Sequence, residues 1–259
     1  MNFIKEYIKR RMYDEYIGRY DYGKDSLAAI KVVRGFTMST PIDMATLYEL
    51  VVHLDRYNID GDMVECGVWK GGSSGIMGIA HTRENRQAAR TIHMFDSFDD
   101  IIGPNIEKDA GRGLDEINEF MAKSGQKLAD FEGNKPLKGI YDRLGGHGKV
   151  EIVRELLVDR IGYPEDKLNF HVGLFQDTVP AARGIEKIEV LRLDGDWYES
   201  IKIPLDHFYD RVVPGGVVII DDYWTYEGCR RAVDEFMEER SLTYFKCYSR
   251  PQTRFFFKT

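Results

Sequence analysis

The stretch Met63-Val64-Glu65-Cys66-Gly67-Val68-Trp69-Lys70-Gly71-Gly72-Ser73-Ser74 reads as a buried strand that runs through glycines into a helix. Residues 63–68 are predicted as the strand and residues 73–81 as the helix. Such a turn brings backbone N–H groups to a ligand at the carboxyl edge of a parallel sheet. Its spacing is not the GxGxxG of dinucleotide sites, because Gly67 is followed by Gly71 and Gly72. Trp69 and Lys70 stand where a pyrophosphate needs clearance. Glu65, near the strand end, can instead attract the cationic amino group of a zwitterionic ligand.

Strand and helix alternate on either side of this unit. Residues 91–95, 168–175, 188–193 and 217–220 are predicted as further strands, with helices starting near Asp177, Ser200 and Glu227. Repeated strand–helix units give a parallel sheet covered on both faces. Residues 243–248 and 253–257 are predicted as a terminal antiparallel hairpin around a Ser249-Arg250-Pro251-Gln252 turn. The expected fold is therefore α/β, a doubly wound, mostly parallel, Rossmann-like sheet of seven strands, in one domain over residues 1–259. Residues 1–60 form an N-terminal helical segment. Phe3, Ile4, Tyr7, Ile8 and Met12 recur there at helical spacing opposite Lys5, Lys9, Arg10 and Arg11. A helix packing on its own domain or on a second subunit suits that pattern better than a membrane-surface helix. At Thr40-Pro41-Ile42-Asp43 a second helix begins, with Thr40 as cap, Pro41 at the first position and Asp43 at the positive end. Residues 99–165 form a charged, glycine-rich insertion with helical stretches near 115–123 and 150–161, predicted as a lid over the active site, with a disordered linker as the alternative.

A formal net charge of −7 leaves no basic excess for nucleic acid. Cys66, Cys229 and Cys247 are odd in number, widely spaced and without a CxxC pair, as expected of reduced thiols. The beginning of the chain lacks an apolar signal core, and the longest apolar stretch, residues 212–220, is too short to span a bilayer. A cytoplasmic protein without membrane partners is expected, forming a homo-oligomer.

Asp96 in Phe95-Asp96-Ser97-Phe98 closes the second strand, where an acidic side chain can accept both hydrogen bonds of a ribose diol, or merely shape a turn. Gln176 and Asp177 in Gly173-Leu174-Phe175-Gln176-Asp177 can meet an adenine edge, or Asp177 can cap the next helix. The richest segments are Leu191-Arg192-Leu193-Asp194-Gly195-Asp196-Trp197-Tyr198 and Val218-Ile219-Ile220-Asp221-Asp222-Tyr223-Trp224. Each puts two carboxylates after an apolar strand, and parallel neighbours would gather all four at one sheet edge. Crowded carboxylates repel unless a cation compensates, and oxygen-only donors suit Mg²⁺. One pair alone would read as helix caps. Two at the same edge favour metal.

These motifs, in this order, resemble the macrocin O-methyltransferases, which methylate deoxysugars on macrolide and aminocoumarin antibiotics. The resemblance runs from about Thr37 to the C-terminus through VECGVWKGGSS (64–74), FDSF (95–98), GLFQDTVP (173–180), LRLDGDWYES (191–200) and VPGGVVIIDDYW (213–224). It implies the class I methyltransferase fold, S-adenosylmethionine as donor, and a glycosylated small-molecule acceptor. It implies that Asp194, Asp221 and Asp222 bind Mg²⁺ and that Asp196 is the general base. Glu65, Gly67, Gly71, Gly72, Ser73, Asp96, Ser97, Gln176 and Asp177 would surround the cofactor, with Met38 closing over it. Where the family continues its second-strand motif into an acidic-Gly-Leu-Pro stretch, this chain reads Asp99-Asp100-Ile101-Ile102-Gly103-Pro104. The acceptor is the part that this departure touches.

A sugar hydroxyl is a poor nucleophile near neutral pH, so a Lewis-acid ion and a positioned base are expected to activate it. Alternation along the strand is expected to put Asp194 and Asp196 on one side. Trp197, Tyr198, Tyr223 and Trp224 flank the cluster as an apolar wall or as core, and His147 is a loop histidine within reach of substrate. The alternatives are a catechol or phenolic acceptor for the same chemistry, an NAD-linked Rossmann oxidoreductase, and a non-catalytic binding module for the cofactor. The missing GxGxxG and the doubled carboxylates oppose the oxidoreductase. Asp196 beside a complete triad opposes the sensor, which needs no base.

Overall fold

The computed structural model describes residues 22–84, 90–109, 111–123 and 135–259. The helix expected over residues 3–12, and Gly125 and Gly133 of the insertion, lie outside them.

Helices α1 (Lys24–Val33) and α2 (Pro41–Arg56) precede the sheet. The expected cap of α2 is present as a reciprocal box, in which the Asp43 N–H donates to the Thr40 hydroxyl and the Thr40 N–H to the Asp43 carboxylate. Strand β1 (Asp62–Cys66) then turns into α3 (Gly72–Glu84), and β2 (Ile92–Asp96) leads into the insertion. There α4 (Arg112–Lys123), α5 (Ile140–Leu144) and α6 (Val150–Arg154) follow, and α6 widens into a π-helical turn over Glu155–Ile161. The chain returns as β3 (Leu168–Val172), α7 (Phe175–Ala181), β4 (Ile188–Leu193), α8 (Tyr198–Phe208), β5 (Val212–Ile220), α9 (Glu227–Glu239) and β6 (Arg254–Phe257).

The sheet order is β3-β2-β1-β4-β5-β6, parallel except for β6 against β5. Period-two alternation decides which helices cover which face. Met63, Met94, Val190 and Val217 pack with Ile30, Leu47, Val51 and Ile76 of α1–α3, whereas Val64, Phe95, Leu191 and Val218 pack with α7, α8 and α9 through Val179, Leu205 and Phe236. This is the doubly wound architecture that the sequence predicts.

Six strands are formed among the described residues, not seven. The first arm of the expected hairpin is reduced to one antiparallel bridge, Cys247 with Phe255. The reason is the pull of Asp43 on the connecting loop. The Ser249 hydroxyl donates to Asp43 at 2.6 Å and the Arg250 guanidinium pairs with it at 2.7 Å, so the loop leaves the ladder to reach α2. The third strand also ends sooner than expected, at Val172, because Gly173 at φ 138 turns the chain into α7. No described helix is long and apolar enough to cross a membrane. All three cysteines are free thiols.

Candidate active site

Register builds the site. Across β1, β4 and β5, Cys66 lies beside Leu193, and Leu193 beside Ile220. The ladder continues one residue past each strand: Gly67 N–H donates to Phe95 at 2.9 Å, Asp194 N–H to Cys66 at 2.8 Å, and Asp221 N–H to Leu193 at 2.9 Å. Gly67, Asp194 and Asp221 therefore emerge side by side at the carboxyl edge. A side chain at Gly67 is excluded, since φ is +91° and a Cβ would lie 1.8 Å from the Asp194 carbonyl oxygen.

Asp194, Asp221 and Asp222 converge, each offering a carboxylate oxygen within 4.8 Å of the others. Burial pushes the Asp194 carboxyl up, and the Asp221 charge adds to it. Burial also raises Asp222, reinforced by Asp196 and Asp221. Asp196 is not on the strand with Asp194, as alternation had suggested. β4 stops at Leu193, and Asp196 sits in the following turn at φ 61, a left-handed conformation that Asp tolerates better than most residues. From there its side chain hydrogen-bonds Asp222, and burial with the Asp194 charge pushes it up to about 7.

These groups floor a cavity of about 310 Å³ whose lining includes Met38, Glu65, Gly67, Gly72, Ser73, Asp96, Asp194, Asp196, Asp221 and Asp222. A second cavity of about 90 Å³ shares Gly67, Asp96, Asp194 and Asp196 with it and adds Ser97 and Gln176. Met38 is half exposed, on the segment leading into α2. Two expected cofactor residues line neither cavity: Gly71 supplies a positive φ of +85° to the turn, and Asp177 is exposed in the first turn of α7.

Asp96 holds the β1 turn from beneath. Its Oδ2 accepts the Val68 and Trp69 N–H groups at 2.7 and 2.9 Å, and its Oδ1 accepts the Phe98 N–H at 2.7 Å. Burial nevertheless pushes its carboxyl up. The backbone donors that a dinucleotide phosphate would need are therefore committed to a carboxylate, which would repel that phosphate. Glu65 is buried and raised by burial, with Arg192 opposing the rise, and it accepts from the Ser74 hydroxyl.

The described parts of the insertion lie over this edge. Ile101, Ile117, Ile140, Tyr141 and Leu144 line the larger cavity. Trp69 Nε1 donates to Gly146 at 3.0 Å and Lys70 Nζ to Gly145 at 2.6 Å. His147 pairs with Asp100 at 2.8 Å rather than with the site. Asp109 accepts the Tyr198 N–H at 2.7 Å, capping α8 directly after the Asp194–Trp197 turn. Of the flanking aromatics, Trp197 lines both cavities, with its Nε1 donating to Ile102 at 2.9 Å. Tyr198 and Tyr223 are turned to Glu235 and Asp234, and Trp224 is exposed.

Sequence reasoning passed over Arg192, Tyr141 and Arg250, all of which line the larger cavity. Arg192 had a signal: a cation in a strand whose six residues are all buried must have anionic partners. Tyr141 and Arg250 had none, lying in a loop-rich insertion and in a presumed turn.

The family model for macrocin-O-methyltransferase (TylF) matches residues 3–133 and 149–245. Demethyldecarbamoylnovobiocin O-methyltransferase of Streptomyces niveus is 33% identical over 180 residues, 69% of this chain and 59% of that protein. Mycinamicin III 3''-O-methyltransferase of Micromonospora griseorubida is 31% identical over 195 residues, 73% of this chain and 65% of that protein. The chain thus spans about three fifths of the length of these curated relatives. The solved structure of the O-methyltransferase NovP superposes with a TM-score of 0.66 at 27% identity, covering 86% of this chain and 82% of that one.

Proposed function

Because this chain belongs to the macrocin O-methyltransferase family, we propose that it is a Mg²⁺-dependent enzyme transferring a methyl group from S-adenosylmethionine to a sugar hydroxyl on a natural product or glycan. The observation that carries this reading is the convergence of Asp194, Asp221 and Asp222 within 4.8 Å on the floor of a ligand-sized cavity, with Asp196 beside them.

The donor set suits the ion. Six carboxylates (Glu65, Asp96, Asp194, Asp196, Asp221 and Asp222) line a cavity whose cations are Arg192 and Arg250, so negative charge is in excess and every candidate ligand is a hard oxygen. Asp194, Asp221 and Asp222 would hold Mg²⁺. The β1 turn suits the methyl donor: Glu65 would receive its amino end, Asp96 lines both cavities where a ribose diol would lie, and Ser97 and Gln176 line the adjoining space for the base. Gly67, Gly72 and Ser73 would complete that wall. When bound, the donor supplies an electrophilic methyl on a sulfonium, and the ion lowers the pKa of a neighbouring alcohol as a Lewis acid.

The remaining work falls to the protein. Asp196 Oδ takes the acceptor's proton, from a turn that points it at the cavity. Trp197 and Ile101 exclude water on one side, and Ile117, Ile140 and Leu144 of the insertion do so from above, as a lid. Met38 covers the donor from the segment before α2. Incubating the chain with donor, Mg²⁺ and a panel of glycosylated metabolites and nucleotide sugars should yield a product heavier by one methylene. EDTA should abolish that product and Mg²⁺ restore it. Full turnover in chelator would remove the ion from the mechanism, and no methylated sugar from any acceptor class would remove the activity.

A further inference from the structure

Every residue of β4 is buried, Arg192 among them. An isolated guanidinium there would carry a prohibitive desolvation cost, so its partners define what it is for. Nη1 lies 2.9 Å from Glu65 Oε1 and 2.9 Å from Asp194 Oδ2, while Nη2 lies 3.1 Å from Asp221 Oδ2 and 3.4 Å from Ser39 Oγ. Register makes this possible: Arg192 is the strand neighbour of Glu65 on one side and of Ile219, two residues before Asp221, on the other. We propose that Arg192 is a positioning residue that couples methyl-donor binding to divalent-cation binding.

The inference rests on the methyl-transfer reading above. Glu65 belongs to the amino end of the donor site, Asp194 and Asp221 to the ion site, and Ser39 to the segment that carries Met38. The two terminal nitrogens have four N–H bonds and four partners, so Arg192 has no terminal donor left with which to grip a ligand itself. It acts by geometry. The guanidinium is rigid and planar, and the angle between its two prongs is fixed. An ion that fixes Asp194 and Asp221 thereby fixes the prongs, and with them the positions of Glu65 and Ser39. The donor then meets a wall already ordered, and by linkage a bound donor tightens the ion equally. Direct repulsion between the ion and the ammonium of a bound zwitterion has the opposite sign, so the sign of the coupling discriminates. Lysine keeps the charge but is a single flexible prong and cannot bridge the two sites.

The test is calorimetry of S-adenosylhomocysteine binding to the full chain, without divalent ion and in saturating Mg²⁺, with thermal melts to show that each variant is folded. In the wild type Mg²⁺ should tighten binding about 5-fold or more, the lower end of typical coupling. In Arg192→Lys and Arg192→Gln the ratio should fall to about one, whatever the absolute affinities. A residue that merely stabilised the fold would lower the melting temperature and leave the ratio intact. A retained ratio in either folded variant, or a wild-type ratio of one or below, overturns the coupling while leaving methyl transfer standing. Wild-type protein that binds no S-adenosylhomocysteine in either condition refutes both readings together.

Discussion

Asp196 and Asp222 hydrogen-bond each other through their carboxyl groups, across two different turns, on the floor of the larger cavity. Two carboxylates can do this only by sharing a proton. The bond raises Asp222 and lowers Asp196, so with no cation present Asp222 donates the shared proton and Asp196 accepts it. Asp196→Asn is conformationally mild, because Asn accepts the left-handed φ of 61 as readily as Asp does. The variant should bind Mg²⁺ and S-adenosylhomocysteine nearly as the wild type does, while methyl transfer falls by about 10²–10⁴-fold. Product formation by mass spectrometry, beside calorimetry for both ligands, checks this; wild-type turnover would remove Asp196 as base.

Cation binding should release protons. Burial raises Asp194 and Asp222 and pushes Asp196 up to about 7, so at neutral pH the cluster holds protons that an ionised, metal-binding cluster cannot keep. The sign follows: acidification opposes the ion, and apparent Mg²⁺ affinity should rise with pH through neutrality. Titrations at pH 7 in buffers of different ionisation enthalpy should show net proton release of roughly one per ion. An apparent enthalpy that does not change with buffer would show that the carboxylates are already ionised.

The strand ends and the four aspartates were readable because each signal is local: an apolar run followed by paired carboxylates. What joins them was not. Arg192 meets Glu65 only through the β1–β4 register, over a separation of 127 residues. Asp43 was legible as part of a helix cap, yet it also holds Ser249, 206 residues away, and thereby dissolves the outer arm of the expected hairpin. Alternation in residues 243–248 carries no trace of that pull. The same blindness misplaced Asp196, since period two continues on paper past Leu193, where the real strand has stopped. Tyr141 faces the cavity from an insertion whose own small core (Met121, Leu137 and Ile140) has no periodic pattern long enough to read.

Acid stability has a separate source on the outer strands. His171 stacks on Phe95 at 4.0 Å and lies 3.3 Å from His93, and burial followed by the His93 charge lowers its pKa to about 4. The unfolded chain binds the proton at the ordinary value of 6.5. The stabilising contribution is thus complete above pH 6.5 and is lost as pH falls through 4, by roughly 1–2 kcal/mol for a half-buried ring. His171→Phe keeps an aromatic on Phe95 and removes this titration. Urea unfolding across that window should show a flatter pH dependence in the variant; identical slopes would place the acid sensitivity elsewhere.

Gly148 offers a way to separate the insertion from the fold. A Cβ there would lie 2.0 Å from the Trp69 carbonyl oxygen, a backbone atom that cannot move aside while Asp96 holds the Trp69 N–H. Gly148→Ala must therefore lift residues 145–148 off the β1 turn and break the Trp69–Gly146 and Lys70–Gly145 contacts. The sheet and its two apolar faces are untouched by that displacement, so the melting temperature should drop by only a few degrees, as for a loss of about 1 kcal/mol. Cavity closure should suffer far more, with donor KM rising by about tenfold, the effect of roughly 1.4 kcal/mol. Limited proteolysis within residues 99–165 should be slowed by S-adenosylhomocysteine in the wild type and not in the variant. Equal protection in both proteins would show that the insertion covers the donor without needing its seat on Trp69, and the lid would have to be sought in its other contacts.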